Sequence, residues 1–272
     1  MAKQPKHMKW LVDTRERLQA ADGRYIKVWE FRHQRDEEIL SEWAKHFRDH
    51  YCSDEQIDLL RHGTGLSRKD YLINRKFPDA ATKLGCSIRA ADFGEILVAD
   101  YLEYTCGFWV PRTRYSRKNS RDESTKGCDI IGFRFMKEGA TSPKDTLAIF
   151  ESKTQFSGTK AKCKLQEAVD HSIKDAIRKA DTLNAMKQRF IDKLDNLAAS
   201  QVERFQDPMD RPYHEISGAV AIFSDHVYDS PTIRITNTTH HPNRDNLELV
   251  VFHGPDLMDL VHELYGRAAN GA

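Results

Sequence analysis

The sequence predicts an α/β protein in which a mixed sheet is flanked by helices, preceded by an N-terminal α+β extension. From residue 88 the hydrophobic pattern runs helix, three strands, helix and strand, the order expected when helices pack against a sheet. One of these strands, SGAVAIF, is almost wholly apolar, as a strand buried on both faces would be. The 272 residues are 39% hydrophobic and 31% charged, which is an ordinary globular composition.

The N-terminal third reads as a mixed unit, which we separate as residues 1–86 from a main domain of residues 87–272. Residues 24–31 alternate like a half-buried strand, and apolar residues at helical spacing follow between Ile39 and Phe47. No catalytic motif falls in this unit. Partner binding is therefore the role that we consider for it.

The main domain begins with a helix predicted from Ile88 to Tyr104. A strand, FWVPRTRY, follows, and its Pro111 argues for an edge position or a bulge. Two apolar runs, CDIIGFRF and TLAIFESK, predict strands joined by a short connection. An amphipathic helix then runs from about Leu165 to about Phe205. SGAVAIF, TIRIT and LELVVF predict further strands before a closing helix.

Acidic and basic residues fall at the ends of two neighbouring predicted strands. Asp129 starts the second strand, and Glu151 and Lys153 end the third. Because side chains alternate along a strand, Glu151 and Lys153 point to the same face. Asp129 can join them if the two strands are paired. Glu95, on the preceding helix, is a further acid that this layout could bring near.

This set of residues suits phosphodiester hydrolysis. Two neighbouring carboxylates repel each other unless a cation lies between them, and oxygen ligands favour Mg²⁺ or Mn²⁺. We therefore predict a metal site at Asp129 and Glu151. The ammonium of Lys153 can hold the attacking water or stabilise charge on phosphorus, and Glu95 can assist the metal directly or through water.

The acid-x-Lys triplet alone carries little information. With 41 acidic residues and 20 lysines in 272 residues, about three such triplets are expected by chance, and the chain holds one. The triplet becomes informative because it lies at the end of an apolar strand. The alternative is an exposed strand end that carries an ordinary Glu/Lys pair, and burial of the carboxylates would argue against that alternative.

Charge is distributed unevenly along the chain although its formal net value is +1. Residues 111–127 hold six basic and two acidic side chains, whereas residues 203–272 hold five basic and eleven acidic ones. A basic middle suggests a surface for a polyanion, and solvated loops are the alternative. The nucleic-acid contacts that we consider are Arg112, Arg114, Arg117, Lys118, Lys160 and Lys162.

The remaining signals are weaker. The five cysteines form no CxxC pair, which suits a reducing compartment, and no apolar run has the length of a membrane span. A cytoplasmic protein is therefore expected. His171 has no predicted neighbour, and a solvated or partner-facing position is expected for it. Gln155 is equally compatible with orienting substrate and with an ordinary strand end.

The residues resemble a known arrangement. Asp129 and Glu151-x-Lys153 in an α-β-β-β-α-β order resemble the PD-(D/E)xK nuclease superfamily over roughly residues 88–224, although Cys128 stands where many members have Pro. The phrases RAADFGEILVADYLEY, GCDIIGF and IFESKTQ are similar to the HamA family, nuclease subunits of the Hachiman anti-phage system. This resemblance implies a restriction-endonuclease-like core, a Mg²⁺-dependent deoxyribonuclease and a superfamily 2 helicase partner (HamB).

Two other functions remain open from the sequence. The same site would also serve a restriction or repair endonuclease that acts alone. A non-catalytic adaptor could use the fold to bind DNA or a helicase. Fold alone does not choose between them.

Overall fold

The computed structural model describes residues 4–137 and 139–272, so the first three residues of the predicted extension and residue 138 lie outside it. The strands of the described part are β1 (Leu11–Gln19), β2 (Tyr25–Phe31), β3 (Ile130–Arg134), β4 (Thr146–Gln155), β5 (His214–Ser224) and β6 (Leu247–Gly254). They form one six-stranded sheet in the order β1, β2, β6, β5, β4, β3. The four inner strands are parallel, and β1 and β3 pair antiparallel at the edges. The predicted α/β class is confirmed.

Helices cover both faces of the sheet. They are α1 (Glu37–Asp49), α2 (Asp54–Arg61), α3 (Arg68–Tyr71), α4 (Lys83–Asp100), α5 (Lys164–Ser172), α6 (Asp175–Asp192), α7 (Asn196–Glu203), α8 (Ser230–Arg234) and α9 (Leu257–Asn270). Alternate residues of β4 face opposite cores: Phe150 packs in the core shared with α1, α4 and α9, and Ile149 packs in the core under α6 and α7. Within residues 4–137 and 139–272, no helix combines the length and the apolar character that a membrane crossing requires.

Helix α4 lies unusually close to the centre of the sheet. Thr82 caps its first turn by accepting a hydrogen bond from the Gly85 amide at 3.0 Å. At Gly94, a Cβ atom would come within 2.4 Å of Cγ2 of Thr154 on β4. Only a residue without a side chain fits this crossing, and Glu95 follows it directly.

The N-terminal extension contributes two strands to the same sheet. β2 pairs in parallel with β6, and α1 lies against α9, where Arg48 donates to the Ala268 carbonyl at 3.0 Å. The division at residue 86 stays a prediction. β1 was not predicted, because its register shifts between Asp13 and Arg17 and interrupts the alternation of apolar residues.

Three predicted elements differ in the structure. In FWVPRTRY only Trp109 pairs with the sheet, as an isolated bridge to Phe133, because Pro111 has no amide hydrogen to extend the ladder. TIRIT forms the end of α8, which Asp229 caps by accepting from the Thr232 amide at 2.9 Å.

The long helix predicted after Leu165 is divided into α5, α6 and α7. Leu194 adopts a positive φ of 60° between α6 and α7. Asp195 then caps α7 through the Ala198 amide. An Asp cap within an amphipathic pattern was thus the signal for a new helix.

Candidate active site

The candidate site lies where β3 begins beside the end of β4. Ile130 pairs with Phe150 in the antiparallel β3–β4 register, which brings Asp129, just before β3, next to Glu151. Oδ2 of Asp129 accepts a hydrogen bond from the Ser152 amide at 3.3 Å. The Lys153 ammonium contacts Oε1 of Glu151, as side chains two residues apart on a strand can. The structure therefore brings together the three residues that the sequence pattern singled out.

Both carboxylates are largely removed from solvent. The side chain of Glu151 is 3% exposed and that of Asp129 is 13% exposed. Oε2 of Glu151 is buried and has no hydrogen-bond partner. Burial, together with the charge of Asp129, raises the pKa of Glu151 to about 8 although Lys153 opposes the shift. An ordinary exposed Glu/Lys pair does not describe this arrangement.

Arg114 links the site to Glu95 on α4. Its Nη2 donates to Oδ1 of Asp129 at 2.9 Å, and its Nε lies 3.0 Å from Oε2 of Glu95. The Tyr115 hydroxyl donates to the same Glu95 oxygen at 2.5 Å. Burial raises the pKa of Glu95 to about 8 despite the positive charge of Arg114. Arg114 thus lies between Glu95 and Asp129 and contacts both.

Sequence reasoning missed two residues of the site. The side chain of His171, on α5, is 46% exposed, as expected for a solvated histidine, but its Nδ1 lies 3.4 Å from Oε1 of Glu151. Asp175 begins α6, and burial together with the charge of Asp129 raises its pKa to about 7. Neither residue lies in a recognisable motif. Both approach β4 only because α5 and α6 pack beside it.

The donor set fits a hard divalent cation. Asp129, Glu151 and Asp175 offer carboxylate oxygens, and the oxygens Oε2 of Glu151 and Oδ1 and Oδ2 of Asp175 lack hydrogen-bond partners. In the described residues these three acids do not form a cluster with all ligand atoms within 4.8 Å. Since the three acids could not all bind one ion directly in this arrangement, an ion there would keep water among its ligands, as Mg²⁺ usually does in proteins.

A groove passes over these residues, and its lining is basic. The described residues give it eight cationic side chains, from Arg114, Arg117, Lys118, Lys126, Lys153, Lys164, Arg178 and Arg189. They also give it five acidic ones, from Glu95, Glu123, Asp129, Glu151 and Asp181. The net charge of +3 favours a polyanion even though the floor is acidic.

The family follows from a comparison with family models. The model of the HamA family matches residues 6–268, which is nearly the whole chain. The chain belongs to the HamA family. It is therefore a component of the Hachiman anti-phage defence system, in which it acts with partner proteins, and the resemblance stated from sequence is confirmed. A search of curated proteins finds no match to the chain.

The basic residues of this HamA protein fall in different environments. Arg112 is not among the residues that line the groove and pairs with Asp100 and Glu103. Lys118 is 3% exposed and donates to Oδ2 of Asp92 at 2.5 Å. Arg117 lies in the groove and pairs with an exposed aspartate of α6. Each of these side chains already pairs with an acidic residue. Their role in nucleic-acid binding stays a prediction.

Lys160 and Lys162 lie in the exposed loop after β4. The buried amide of Gln155 donates to the Lys160 carbonyl at 2.8 Å and accepts from the Lys162 amide at 2.9 Å. Gln155 therefore holds this loop rather than pointing into the groove. The two ammonium groups remain available to solvent, and their role in nucleic-acid binding in HamA stays a prediction.

Two further cations line the groove. Lys126 and Arg189 lack a carboxylate partner among residues 4–137 and 139–272. Burial, followed by the charges of Arg117 and Arg114, lowers the pKa of Arg189. A cation that is crowded by other cations gains most from a bound anion. Lys126 and Arg189 are accordingly the strongest candidates for phosphate contacts.

Proposed function

We propose that this HamA protein is a metal-dependent DNA endonuclease, the effector of its defence system. The observation that carries the proposal is the unpartnered, buried Oε2 of Glu151 next to Asp129. A buried carboxylate oxygen without a partner is costly. Groups of this kind are found where a ligand compensates them, and a divalent cation is the ligand whose chemistry matches.

In the proposed reaction Asp129 and Glu151 would hold Mg²⁺ or Mn²⁺. The ion, when bound, polarises the phosphoryl oxygen and makes water more acidic. A water oxygen would bond to phosphorus and release one proton to solvent, the bond from phosphorus to the leaving sugar oxygen would break, and that oxygen would take up one proton. Arg114 keeps the Asp129 carboxylate in place through its hydrogen bond to Oδ1.

Lys153 is the cationic residue of the proposed reaction. Its ammonium contacts Oε1 of Glu151 and lies 3.3 Å from the Ser152 carbonyl oxygen. The side chain is 21% exposed, so a donor remains accessible from the groove. We assign to it the positioning of the attacking water and the stabilisation of charge that develops on the phosphate.

DNA is the proposed substrate and a superfamily 2 helicase is the proposed partner. The positive groove supports a nucleic-acid substrate, because contacts to phosphate do not depend on base sequence. The helicase rests on membership of the HamA family. A helicase would supply opened DNA to the groove.

The test is plasmid degradation by the purified full chain with Mg²⁺, with Mn²⁺ and with chelator, alone and with the helicase added. Lys153→Met and Glu151→Gln should abolish metal-dependent cleavage. The matched controls are Lys69→Met and Glu16→Gln, which change exposed side chains outside the groove. The controls should cut DNA at the wild-type rate.

Two results would overturn the proposal. A folded Glu151→Gln protein that cuts DNA as fast as the wild type would exclude the assigned site. Steep salt-dependent DNA binding without metal-dependent turnover, even with the helicase present, would indicate a non-catalytic adaptor.

A further inference from the structure

A second group of metal-ligating side chains lies outside the proposed active site. His46 lies in the last turn of α1, and His50, four residues later, follows the end of that helix with helical backbone angles, so the two project from the same face. Asp100 ends α4 beside them. In the part of the chain that the structure describes, these residues are the group of three whose ligand atoms all lie within 4.8 Å of one another.

His50 contains an unsatisfied nitrogen. The residue is 5% exposed, and its Nε2 is buried without a hydrogen-bond partner. Burial, followed by the positive charge of Arg112, lowers the pKa of His50, so its imidazole is neutral. Buried polar atoms normally have partners, and a neutral imidazole nitrogen is a good ligand for transition metals.

His46 and Asp100 are already placed as neighbouring ligands. Nε2 of His46 lies 3.1 Å from Oδ1 of Asp100. Two ligand atoms of a tetrahedral zinc site with bonds of about 2.0 Å are separated by about 3.3 Å. His7 contacts the other oxygen, Oδ2, at 3.0 Å. Such a contact fixes a ligating carboxylate in the orientation that a metal needs.

The surrounding charges permit an added cation. Arg112 donates to Oδ1 of Asp100 at 2.7 Å, but it also pairs with Glu103 at 2.5 Å. Asp100 and Glu103 together carry one more negative charge than Arg112. A cation at the histidines therefore enters a region whose fixed charge is negative when both imidazoles are neutral. The side chain of His46 is 25% exposed, which leaves a path from solvent.

We propose that His46, His50 and Asp100 bind a transition-metal ion, with Zn²⁺ as the best fit. Two imidazole nitrogens and one carboxylate suit zinc, with water in the fourth position, whereas Mg²⁺ prefers oxygen ligands. The ion would tie α1 to the end of α4. The site shares no ligand with Asp129 and Glu151, so it does not depend on the proposed nuclease activity.

The test is calorimetric titration of the chelator-treated full chain with Zn²⁺ in excess Mg²⁺. Excess Mg²⁺ occupies oxygen sites but competes poorly for imidazole. We expect His46→Ala and His50→Ala each to weaken zinc binding by at least roughly 100-fold, since loss of a ligand should exceed the effect of losing an outer hydrogen bond. His62→Ala, at an exposed histidine outside the cluster, is the control and should bind as the wild type does.

Co²⁺ provides a second readout that separates this site from the carboxylates. Coordination by imidazole in a four-coordinate site gives strong visible absorption, and we expect that absorption in the wild type and its loss in His46→Ala. Thermal unfolding in chelator checks that the variant is folded. The proposal is overturned if the wild type binds no zinc under excess Mg²⁺, or if folded His46→Ala keeps the wild-type affinity and Co²⁺ spectrum.

Discussion

Nη2 of Arg114 donates to Oδ1 of Asp129 across 2.9 Å, in a site where both side chains are mostly buried. The same guanidinium has its Nε 3.0 Å from Glu95. One buried cation thus contacts two acids from different elements, Asp129 at the start of β3 and Glu95 on helix α4. This arrangement makes Arg114 part of the candidate active site, and its contact with DNA stays a prediction.

Replacing Arg114 should therefore lower the free energy of unfolding. Arg114→Met leaves the Asp129 carboxylate without its counter-charge and Glu95 without its cationic neighbour, and the expected loss is about 3–5 kcal/mol in the free energy of unfolding. Arg117→Met is the control, because Arg117 is 48% exposed in its pair with Asp192 and should lose less than about 1 kcal/mol. Urea unfolding measures both. Equal losses would contradict the role given to Arg114.

Glu151 should make the metal-free protein less stable as pH rises. Its pKa of about 8 in the folded chain exceeds the value of about 4.3 for an unfolded glutamate. The unfolded state releases the proton first, so the stabilisation is complete below about pH 4 and is lost as pH rises toward about 8. The melting temperature in chelator should fall more steeply over that range for the wild type than for Glu151→Gln.

The control for this pH dependence is Glu16→Gln, at an exposed residue of β1. It should follow the wild-type curve. Parallel curves for the wild type and Glu151→Gln would show that Glu151 titrates normally in the folded state. That result would also remove the reason to expect a compensating cation beside it.

Replacing Asp175 should raise the stability of the protein and lower its nuclease activity. Its oxygens have no hydrogen bond of ordinary geometry, and burial raises its pKa to about 7. Asp175→Asn removes a buried charge, so above pH 7 we expect a gain of about 1–2 kcal/mol in stability without metal. We also expect weaker Mg²⁺-dependent cleavage, because the negative charge near Asp129 is reduced.

The control for Asp175 is Asp170→Asn, which changes an exposed acid of α5 outside the groove. Chemical unfolding in chelator and a Mg²⁺ titration of cleavage give the two readouts. If Asp175→Asn is less stable than the wild type and cuts DNA normally, Asp175 serves only the fold.

The sequence predicted the inner strands because their apolar runs are long, as in β5 and β6. It could not predict TIRIT, where β-branched residues alternate as in a strand but a capping Asp229 and Pro231 start a helix. Local hydrogen bonds to the cap outweigh strand propensity in a segment this short.

Strand geometry predicted only the part of the candidate site that lies on the strands. The two-residue period placed Glu151 and Lys153 on one face. His171 and Asp175 come from helices whose position against β4 is set by packing, which no spacing in the sequence encodes. Arg114 looked like a loop cation because its acidic partners are distant in sequence.

Contacts with DNA should depend on the cations that lack carboxylate partners. Arg189→Ala and Lys126→Ala should each lower the slope of log affinity against log salt by about 1, because each removes one phosphate contact. Arg35→Ala, at an exposed arginine away from the groove, is the control. Fluorescence anisotropy in chelator measures binding without cleavage. An unchanged slope for both groove variants would contradict DNA binding in this groove.

The close crossing of α4 over β4 should tolerate no side chain at Gly94. In Gly94→Ala the new Cβ would lie 2.4 Å from Thr154 and 3.2 Å from Ile222, so we expect a loss of about 1–3 kcal/mol in spite of alanine's helix propensity. Gly266→Ala, inside α9 with no atom within 4 Å of the new Cβ, should instead gain up to about 1 kcal/mol. Thermal unfolding compares the two. Since Thr154 follows Lys153, a displaced β4 should also slow cleavage in Gly94→Ala, whereas Gly94→Ala with wild-type stability and cleavage would show that α4 does not fix the site.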